Sequence, residues 1–522
     1  MNVIYQPNER YINILRQEIC DNKRDNSKNQ RLMKYLIIED ADNGKAVYNE
    51  LTRAFIWIPY EQWETMYTRE NDDYVDFLWS NYFLVNEDFD EYKAQEELKI
   101  WDRPNHRNEN YLKPGNIYEY TIFATMACNA RCFYCYEKGR PQKPMTATTA
   151  RKIGEYIVRT AVKNGRPIEL RWFGGEPLVG ENCIDIICQI VKDAGYNYNS
   201  SITTNGFLFK KEKLDKYRDL WHLTFAQITI DGTEEVYNKT KNYKNVKGKN
   251  PYQIVMDNIK MMAEWGLNIS IRMNMDLYNA ENIKELIKEL HDKFKDNHNV
   301  TPYCWPIFED DDNPRTDAQK AQLYEKLKEI EDVLKEYGYY RPKYRNNTVR
   351  ATHCMIDHGG AVVFGTQGDI GLCEHYSDDN FWGHVDKPDM KDMDVIASFQ
   401  DYEEPLNICN DCPIMPSCIR AKKCHDLREC NIWIKEWHVR EAHDAVKAMY
   451  EDWKRNVENQ KMNNQGCNNQ SCQNNQCCNN QGCDKQGCNN QDCNCNKEET
   501  EESEKKGIFK FFENILILLG IK

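Results

Sequence analysis

The sequence has fewer positive than negative charges, and its start lacks the apolar core of a secretory signal. Its 522 residues include 69 Lys and Arg and 83 Asp and Glu, which gives a formal net charge of -14 and a pI near 5.4. An acidic chain of this kind argues against general binding to nucleic acid. The first residues, MNVIYQPNERYINILRQ, carry charges where a signal peptide needs an apolar run, so we expect a cytoplasmic protein.

Cysteine, by contrast, is abundant, with 22 residues. In a cytoplasmic chain this number indicates metal binding and not disulfides. Ten of the cysteines form two spaced patterns, eight lie in a C-terminal tail and four are scattered. Of the scattered ones, Cys183 and Cys188 are predicted to be core residues of a helix.

The first pattern is C-x3-C-x2-C, formed by Cys128, Cys132 and Cys135 directly after a strand-like run at residues 118–124. An iron–sulfur cluster is normally held by four thiolates, so three would leave one iron of a [4Fe-4S] cluster open to another ligand. Tyr134 stands just before the last cysteine, where its ring could pack on that ligand. A zinc site is the alternative, although zinc usually takes four ligands in C-x2-C pairs.

Four further strand-like segments each end in polar residues or glycines. Adjacent glycines, as in IELRWFGGEP, let the backbone approach a ligand closely, and an arginine can hold a carboxylate with two hydrogen bonds. Helical stretches near 180–195, 211–219, 251–266 and 280–296 alternate with the strands, which predicts a parallel sheet with helices outside. The candidate cofactor-binding residues at the strand ends are Gly174, Gly175, Glu176, Thr204, Asn205, Thr229, Asp231 and Arg272.

The segment TMACNARCFYCYE, followed at strand ends by GGEP, TNG and IDG, resembles the signature of the radical S-adenosylmethionine (SAM) superfamily. The resemblance implies a partial (β/α)6 TIM-like barrel, completed by a sixth strand at VTPYCWPIF, with the chemistry at the carboxyl ends of the strands. It also implies that SAM fills the open iron site and that an electron from the cluster cleaves SAM to a 5'-deoxyadenosyl radical. The GGE segment would bind the amino group of SAM and Arg272 its carboxylate, while Thr229 and Asp231 would meet its ribose or methionine.

A second set of cysteines follows a predicted helical linker at residues 316–337. It resembles the SPASM domain of radical SAM enzymes that modify peptides and proteins, although five residues and not three separate Cys418 from Cys424. A zinc ribbon built on Cys409 and Cys412 is the alternative, because C-x2-C is also a common zinc spacing. The set consists of Cys354, Cys373, Cys409, Cys412, Cys418, Cys424 and Cys430.

The SPASM resemblance implies two auxiliary [4Fe-4S] clusters. The first would have three ligands, Cys354, Cys373 and Cys424, so that either another group such as Cys304 completes it or its open iron binds a substrate thiolate. Glu374 and His375 follow Cys373 and are weak candidates for a general acid or base, since such a pair more often supports a cluster-binding loop. The second cluster would be held by Cys409, Cys412, Cys418 and Cys430.

The two ends of the chain differ from its middle in composition. Residues 1–112 contain no metal pattern, and their order of short strands joined by a DNG turn, two helices and a further strand resembles winged-helix modules that bind a leader peptide at a sheet edge. A structural cap on the barrel is the alternative. The tail from Asn463 is rich in Cys, Asn and Gln, and we expect it to be disordered.

Three interpretations of the cysteine repeat stay open, namely a substrate or its mimic, a metal-binding segment, and an idle extension. The chain closes with GIFKFFENILILLGIK, an amphipathic helix too short to span a bilayer. This helix could dock on the enzyme, on a partner or at a membrane surface.

The sequence therefore predicts an α/β protein of several domains. These are a winged-helix-like domain at 1–112, a radical SAM partial barrel at 113–310, a helical linker at 311–345, a SPASM domain at 346–445, a linker and tail at 446–505, and a terminal helix at 506–522.

The predicted function is that of a radical SAM/SPASM maturase, similar to the Cys-rich peptide maturases. It would form thioether crosslinks in a ribosomally made Cys-rich precursor peptide with a leader, and would take electrons from a low-potential donor such as ferredoxin or flavodoxin. One alternative is a sulfatase-maturing type of enzyme that makes formylglycine. The other is a non-catalytic iron–sulfur electron-transfer or metal-binding protein.

Overall fold

The computed structural model describes most of the chain up to residue 466. The described residues are 1–65, 73–102, 111–135, 137, 143–163, 167–244, 246, 248–309, 313–340, 342–343, 345, 355–356, 359–376, 381–399, 401, 405–418 and 430–466. Cys354, Cys424, the Cys-rich tail from residue 467 and the predicted terminal helix lie outside them. The chain divides into two compact units, the first comprising the described parts of Met1–Phe89, Lys343–Thr348 and Ala442–Lys522, and the second those of Asp90–Pro342 and Val349–Glu441.

The first unit is built on a four-stranded antiparallel sheet in the order β1-β5-β4-β3, with β2 paired separately to β6. The predicted DNG turn joins β3 to β4, and Asp42 adopts the left-handed conformation there (φ 51°). The winged-helix interpretation of this region stays a prediction. The elements are β1 (Asn2–Tyr5), α1 (Glu9–Glu18), β2 (Gln30–Leu32), β3 (Leu36–Ala41), β4 (Gly44–Asn49), β5 (Phe55–Pro59), α2 (Tyr60–Thr65), α3 (Asp73–Ser80) and β6 (Leu84–Asn86).

The second unit alternates strands and helices along the chain, as predicted. Its elements up to the linker are α4 (Glu91–Asp102), β7 (Glu119–Thr125), α5 (Ala147–Thr160), β8 (Ile168–Gly174), α6 (Glu181–Asp193), β9 (Tyr198–Thr204), α7 (Leu214–Asp219), β10 (Leu223–Thr229), α8 (Glu234–Lys241), α9 (Pro251–Glu264), β11 (Asn268–Met275), α10 (Ala280–Phe294), β12 (Val300–Pro306) and α11 (Asp317–Glu336). The later elements are β13 (Ala361–Phe364), β14 (Asp369–Gly371), β15 (Gly383–His384), α12 (Met393–Ser398) and the first part of α13 (Ile432–Gly466), whose residues from Ala442 onward belong to the first unit.

Strands β7 to β12 are mutually parallel and lie side by side in sequence order. Parallel strands with helices between them form the α/β partial barrel that the sequence predicts. The sequence did not predict that β13 pairs in parallel with β7 and that β14 and β15 extend the same sheet in antiparallel fashion. These short strands come from the region assigned above to a SPASM domain.

The core of the second unit lies between the strands and the helices outside them. Ile202, Ile228 and Ile271 are buried at 0–1% exposure on β9, β10 and β11. Cys183 and Cys188 are buried on α6, which confirms their prediction as core residues. Among the described helices, none combines the length and the apolar composition that crossing a membrane requires.

Candidate active site

The loop that carries the first cysteine pattern begins where β7 ends. The backbone N–H of Ala127 donates to the hydroxyl of Thr125 (3.1 Å), and that of Ala130 donates to the Sγ of Cys128 (3.4 Å). Cys128, Cys132 and Cys135 are free thiols, and all three are partly buried. We call residues 128–135 the cluster loop.

The three thiols fit the donor set of an iron–sulfur cluster. Burial is the main cause that raises the pKa of Cys128 to about 12, and the nearby charges of Glu176, Cys132 and Cys135 contribute to this rise. Thiolates in such surroundings need a nearby cation, which a cluster supplies. Among the described residues no three His, Cys, Asp or Glu side chains surround a single metal-ion position. A cluster does not need such convergence, because each iron takes its own thiolate.

The glycine pair after β8 packs directly against the cluster loop and the residues before it. Gly175 N donates to Thr125 O (2.9 Å) and Glu176 N donates to Ala127 O (3.0 Å). A Cβ atom on Gly174, whose φ is +124°, would lie 2.2 Å from Thr125 O, and one on Gly175 would lie 2.7 Å from Ala127 O. The glycines are therefore required for close contact between two backbone segments. Their predicted contact with SAM stays a prediction.

Glu176 joins the end of β8 to the end of β9. Its side chain is completely buried, and its carboxylate accepts hydrogen bonds from the Thr204 hydroxyl (2.7 Å), Asn205 N (2.8 Å) and Leu178 N (3.1 Å). Burial raises the pKa of Glu176 to about 7, although these hydrogen bonds oppose the shift. The carboxylate therefore acts as a brace between two strand ends, and its predicted role in binding SAM is untested.

Asn205 connects Glu176 to the cluster loop. Its Nδ2 donates to Asn129 Oδ1 (2.7 Å) and lies 3.9 Å from the Sγ of Cys128. The predicted strand-end residues Glu176, Thr204 and Asn205 are thus brought together beside the first cysteine.

Asp231, predicted to meet SAM, is fully buried and bonded to protein groups. Its Oδ2 accepts from the hydroxyl of Tyr134 (2.5 Å) and pairs with the ammonium of Lys241 (2.9 Å), while its Oδ1 accepts from Asn274 N (3.0 Å). The Tyr134 hydroxyl also accepts from Lys241 Nζ (2.9 Å) and Asn274 Nδ2 (3.1 Å). The two residues expected to contact the cofactor separately therefore form one network with Lys241, and a contact between either and SAM stays a prediction.

Lys241 is the member of this network that the sequence did not indicate. Burial alone would lower its pKa, but the charges of Asp231, Tyr134 and Cys132 outweigh burial and hold the pKa well above its ordinary value. Lys241 O also accepts from Arg131 N (2.8 Å), so the end of α8 is bonded to the cluster loop through both the backbone and the side chain of Lys241. The only sequence signal was the helical spacing of Tyr237, Thr240 and Lys241, all of which are buried.

Arg272 and Thr229 lie opposite each other on β11 and β10. The Nε of Arg272 donates to Asn274 Oδ1 (2.7 Å). Burial raises the pKa of Tyr303 to about 12, and the nearby charge of Arg272 opposes this shift. Within the described part of the chain, the ion pairs do not include a carboxylate partner for Arg272. A guanidinium in this position can donate two hydrogen bonds to the carboxylate of a ligand.

Comparison with known proteins identifies this part of the chain. The sequence model of the radical SAM superfamily matches residues 122–292. Residues 122–292 form a radical SAM domain. Such domains bind a [4Fe-4S] cluster and SAM, which is the chemistry that the three thiols and the surrounding strand ends fit.

Curated relatives extend over part of the chain. An uncharacterized protein of Methanocaldococcus jannaschii is 24% identical over 254 residues, 48% of this chain and 82% of the relative. TigE, a radical SAM cyclopropyl synthase of Paramaledivibacter caminithermalis, is 26% identical over 198 residues, 32% of this chain and 42% of TigE. A probable GTP 3',8-cyclase of Methanococcus maripaludis is 30% identical over 156 residues, 29% of this chain and 47% of the cyclase. The chain thus spans less than half the length of these two relatives with named activities.

Two solved structures are similar at low sequence identity. The anSMEcpe structure with bound AdoMet has a TM-score of 0.49 and 13% identity, and the match covers 65% of this chain and 99% of that chain. The structure of Streptococcus suis SuiB bound to precursor peptide SuiA has a TM-score of 0.43 and 12% identity, and the match covers 75% of this chain and 94% of that chain.

The second cysteine set lies after the radical SAM domain in the same compact unit. Cys409, Cys412 and Cys418 follow one another in tight turns, in which Cys412 N donates to Cys409 O (3.0 Å) and Cys418 N donates to Met415 O (3.0 Å). Burial raises the pKa of Cys412 to about 11, and both Cys409 and Cys418 are close enough to contribute. These three cysteines are therefore neighbours.

Cys430 and Cys373 belong to other segments of the same unit. Cys430 lies just before α13, whose Lys435 donates to Ile408 O (2.8 Å) next to Cys409. Cys373 follows β14 and is partly exposed. Ligation by Cys373, Cys409, Cys412, Cys418 and Cys430 stays a prediction.

The weak catalytic candidates Glu374 and His375 form a short turn after Cys373. The ring of His375 packs edge to face on Phe308 with 4.7 Å between centroids. Cys304, the distant candidate for a missing ligand, is buried on β12. Roles for these three residues remain predictions.

Proposed function

We propose that the protein is a radical SAM enzyme that forms thioether crosslinks in a ribosomally made, Cys-rich precursor peptide. The observation that carries this proposal is the presence, in one compact unit, of a radical SAM domain and a second group of neighbouring cysteines. A domain that only cleaves SAM needs a single cluster. A second metal-binding group is useful when a substrate thiol must be held and an electron removed.

In this proposal Cys128, Cys132 and Cys135 hold the cluster that binds SAM. The bound cluster and SAM supply a carbon-centred radical that abstracts hydrogen. Arg272 offers a positive charge to the carboxylate of SAM at the carboxyl end of β11. Glu176 and Asn205 keep β8, β9 and the cluster loop in register, so that the cofactor meets a preformed site.

In this proposal the second cysteine set serves the step in which the substrate thiol forms the C–S bond. Forming one C–S bond removes one hydrogen atom from a substrate carbon. It also removes one proton from the substrate thiol and one electron from the two groups as they join. Iron–sulfur clusters can accept single electrons, so a cluster on Cys409, Cys412, Cys418 and Cys430 would take up the electron. The net result is the loss of two hydrogens for each crosslink.

The proposed substrate class rests on the composition of the chain itself. Residues 463–495 repeat cysteine at nearly even intervals among Asn and Gln, a pattern that resembles precursors converted to thioether-crosslinked products. The relative TigE is named as a radical SAM enzyme that makes cyclopropyl groups. A non-catalytic iron–sulfur protein would have no use for the residues at the ends of β8 to β11.

The test is anaerobic turnover of the reconstituted full-length protein with SAM and dithionite. Mass spectrometry then follows the tail of the enzyme and a synthetic peptide with cysteines spaced as in residues 463–495. We expect 5'-deoxyadenosine together with a loss of two hydrogens per crosslink. Deoxyadenosine with an aldehyde that reacts with a hydrazide would instead identify a formylglycine-forming enzyme.

The matched control is Cys412→Ala. This variant should still cleave SAM but should no longer crosslink the peptide. If the variant crosslinks at the wild-type rate, the second cysteine set has no part in the reaction. If the wild-type protein with a loaded first cluster makes no deoxyadenosine, the enzymatic proposal is wrong.

A further inference from the structure

Two exposed aromatic rings lie at the cluster loop. Phe133 stands between Cys132 and Tyr134 in sequence and is 52% exposed, and Tyr278 is 51% exposed. The two rings meet edge to face with 5.3 Å between their centroids. Aromatic residues are enriched at protein interfaces, and large apolar side chains exposed together indicate a binding surface.

The sequence around Phe133 is basic, although the whole chain has a net charge of -14 and Tyr278 is flanked by Asp276 and Glu281. Residues 126–154 and 236–256 together contain eleven Lys and Arg residues but only one acidic residue, Glu137. The first segment contains the cluster loop, and the second contains the residues of α8 that follow its exposed acidic pair, Glu234 and Glu235, together with the residues after the helix. Positive charge is thus concentrated in the segments that surround the first three cysteines.

Hydrogen bonds place the end of α8 alongside the cluster loop. Arg131 N donates to Lys241 O (2.8 Å), and Lys244 N donates to Asn129 O (2.9 Å).

The exposed residues of this region form one surface beside the cluster ligands. Three exposed basic residues belong to these bonded segments, namely Arg131 on the loop, Lys239 on α8 and Lys244 just after it. We define the electron-donor patch as Arg131, Phe133, Lys239, Lys244 and Tyr278.

We propose that the electron-donor patch docks an acidic, low-potential electron-carrier protein, which reduces the cluster held by Cys128, Cys132 and Cys135. The inference rests on the proposed function, because cleavage of SAM consumes one electron that must come from outside the protein. In the docked complex the carrier is oxidised by one electron and the cluster is reduced by one. Phe133 lies next to a cluster ligand and also reaches the surface, so a carrier at this patch is close to the electron acceptor.

Charge complementarity favours this partner over other occupants. An acidic carrier is repelled by a chain of net charge -14 everywhere except at a local basic surface. Encounters between redox proteins typically use small interfaces, and opposite charges steer them to one site. A mixed basic and aromatic surface of five residues suits such an encounter.

The test measures reduction of the cluster and not turnover. Reconstituted full-length protein is mixed anaerobically with flavodoxin hydroquinone in a stopped-flow instrument, and cluster absorbance is followed at low and high ionic strength. We expect the variant K239E/K244E to be reduced about tenfold more slowly than the wild type at low salt, since steering changes association rates by at least that factor. The difference should shrink at high salt, where charges are screened.

The matched control is K288E/K295E. It changes the net charge equally, at two exposed lysines on and just after α10, outside the patch. Reduction by dithionite, a small reductant, should proceed at the wild-type rate in both variants. Equal slowing of both variants by flavodoxin would reflect total charge and would overturn the proposal.

Zero-length crosslinking of wild-type protein to flavodoxin gives a second measurement that needs no variant. Crosslinks from flavodoxin carboxylates to Lys239 or Lys244 support the patch, and crosslinks confined to other lysines reject it. If K239E/K244E is reduced normally but binds an acidic peptide more weakly, the patch is a peptide surface and the inference is wrong. Normal reduction by flavodoxin without SAM cleavage would contradict the proposed function and leave the docking inference standing.

Discussion

The two groups of cysteines are held in different ways. The cluster loop is bonded to residues distant in sequence, including Gly175 after β8, Asn205 after β9 and Lys241 on α8. The turns at Cys409, Cys412 and Cys418 are joined by hydrogen bonds within residues 406–418, and Lys435 also donates to Ile408 O. The barrel thus imposes the shape of the first site.

This contrast bears on what each metal site requires. A loop fixed by several strand ends can present its thiols before any cofactor arrives, and it leaves a constant space for a second ligand. A run of local turns draws more of its order from the metal itself, because ligand binding and local folding are then coupled. We expect the first site to tolerate metal removal better than the second.

The largest effect is expected on cleavage of SAM, which should depend on the first cysteine group and not on the second. Cys132→Ala should abolish cleavage of SAM, because two thiolates do not hold the cluster in its catalytic form. Cys409→Ala should retain SAM cleavage and lose about four irons of an auxiliary cluster. Iron and sulfide content, electron paramagnetic resonance spectra and deoxyadenosine yield measure these outcomes. Loss of SAM cleavage in Cys409→Ala would show that the two sites are not independent.

The sequence predicted those parts of the site that depend on local spacing. The cysteines of the cluster loop are seven residues apart at most, and the apolar strands before each polar end were recognisable from their composition. The ion pair between Asp231 and Lys241 was not predicted, since the carboxylate ends a strand and the ammonium lies on a helix that the sequence did not indicate. Nothing in either segment alone requires them to meet.

The extension of the sheet by β13 was missed for a similar reason. Its residues Ala361–Phe364 form one short apolar run, and their pairing with β7 joins segments more than 230 residues apart. Short strands carry little periodic signal, and non-local pairing has no signature within one strand. The glycines 174 and 175 were recognised as sites of close approach, but the sequence could not show that the approaching group was the backbone of residues 125–127.

The next largest effect is expected on the unfolding free energy, from the buried ion pair between Lys241 and Asp231 beside the cluster loop. The side chains of Lys241 and Asp231 are 3% and 0% exposed, so Lys241→Met should leave an unpaired buried carboxylate and cost about 3–5 kcal/mol of unfolding free energy. Lys435→Met, which removes the hydrogen bond from Lys435 to Ile408 O beside the second cysteine group, should cost about 1–2 kcal/mol. Anaerobic urea unfolding monitored by circular dichroism measures both.

The double variant Lys241→Met/Asp231→Asn provides the control for the ion pair. It should be less destabilised than the sum of its single variants, because neither charge is then left unpaired. Additive losses would mean that the two charges do not interact in the folded protein.

A smaller effect follows from the raised pKa of Glu176. Burial raises this pKa from 4.5 to about 7, so the folded state favours the protonated carboxyl. The stabilisation is fully present below pH 4.5 and is lost as pH rises through about 7, which amounts to about 3 kcal/mol. In Glu176→Gln the decline of unfolding free energy between pH 5 and 7 should be correspondingly shallower.

Glu331 supplies a reference outside the site. Burial also raises its pKa to about 7, with Arg440 opposing the shift. Glu331→Gln should also make the unfolding free energy depend less on pH between pH 5 and 7. It should leave the electron paramagnetic resonance spectrum of the first cluster unchanged, whereas Glu176→Gln should alter that spectrum through Asn205. Identical spectra in both variants would argue against Glu176 as a brace of the cluster loop.

The smallest effect compares two glycines, one from each region. Alanine at position 175 would place its Cβ 2.5 Å from Met126 O, so Gly175→Ala should cost about 1–3 kcal/mol and lower the iron content of the first site. Alanine at position 383 on β15 would have its nearest neighbour at 3.4 Å, an ordinary contact, and should change stability by less than about 0.5 kcal/mol. Thermal unfolding and iron analysis of the two variants measure the difference. Equal stability of both would mean that the cluster loop can move away from β8, and the barrel would then not fix the shape of the first site.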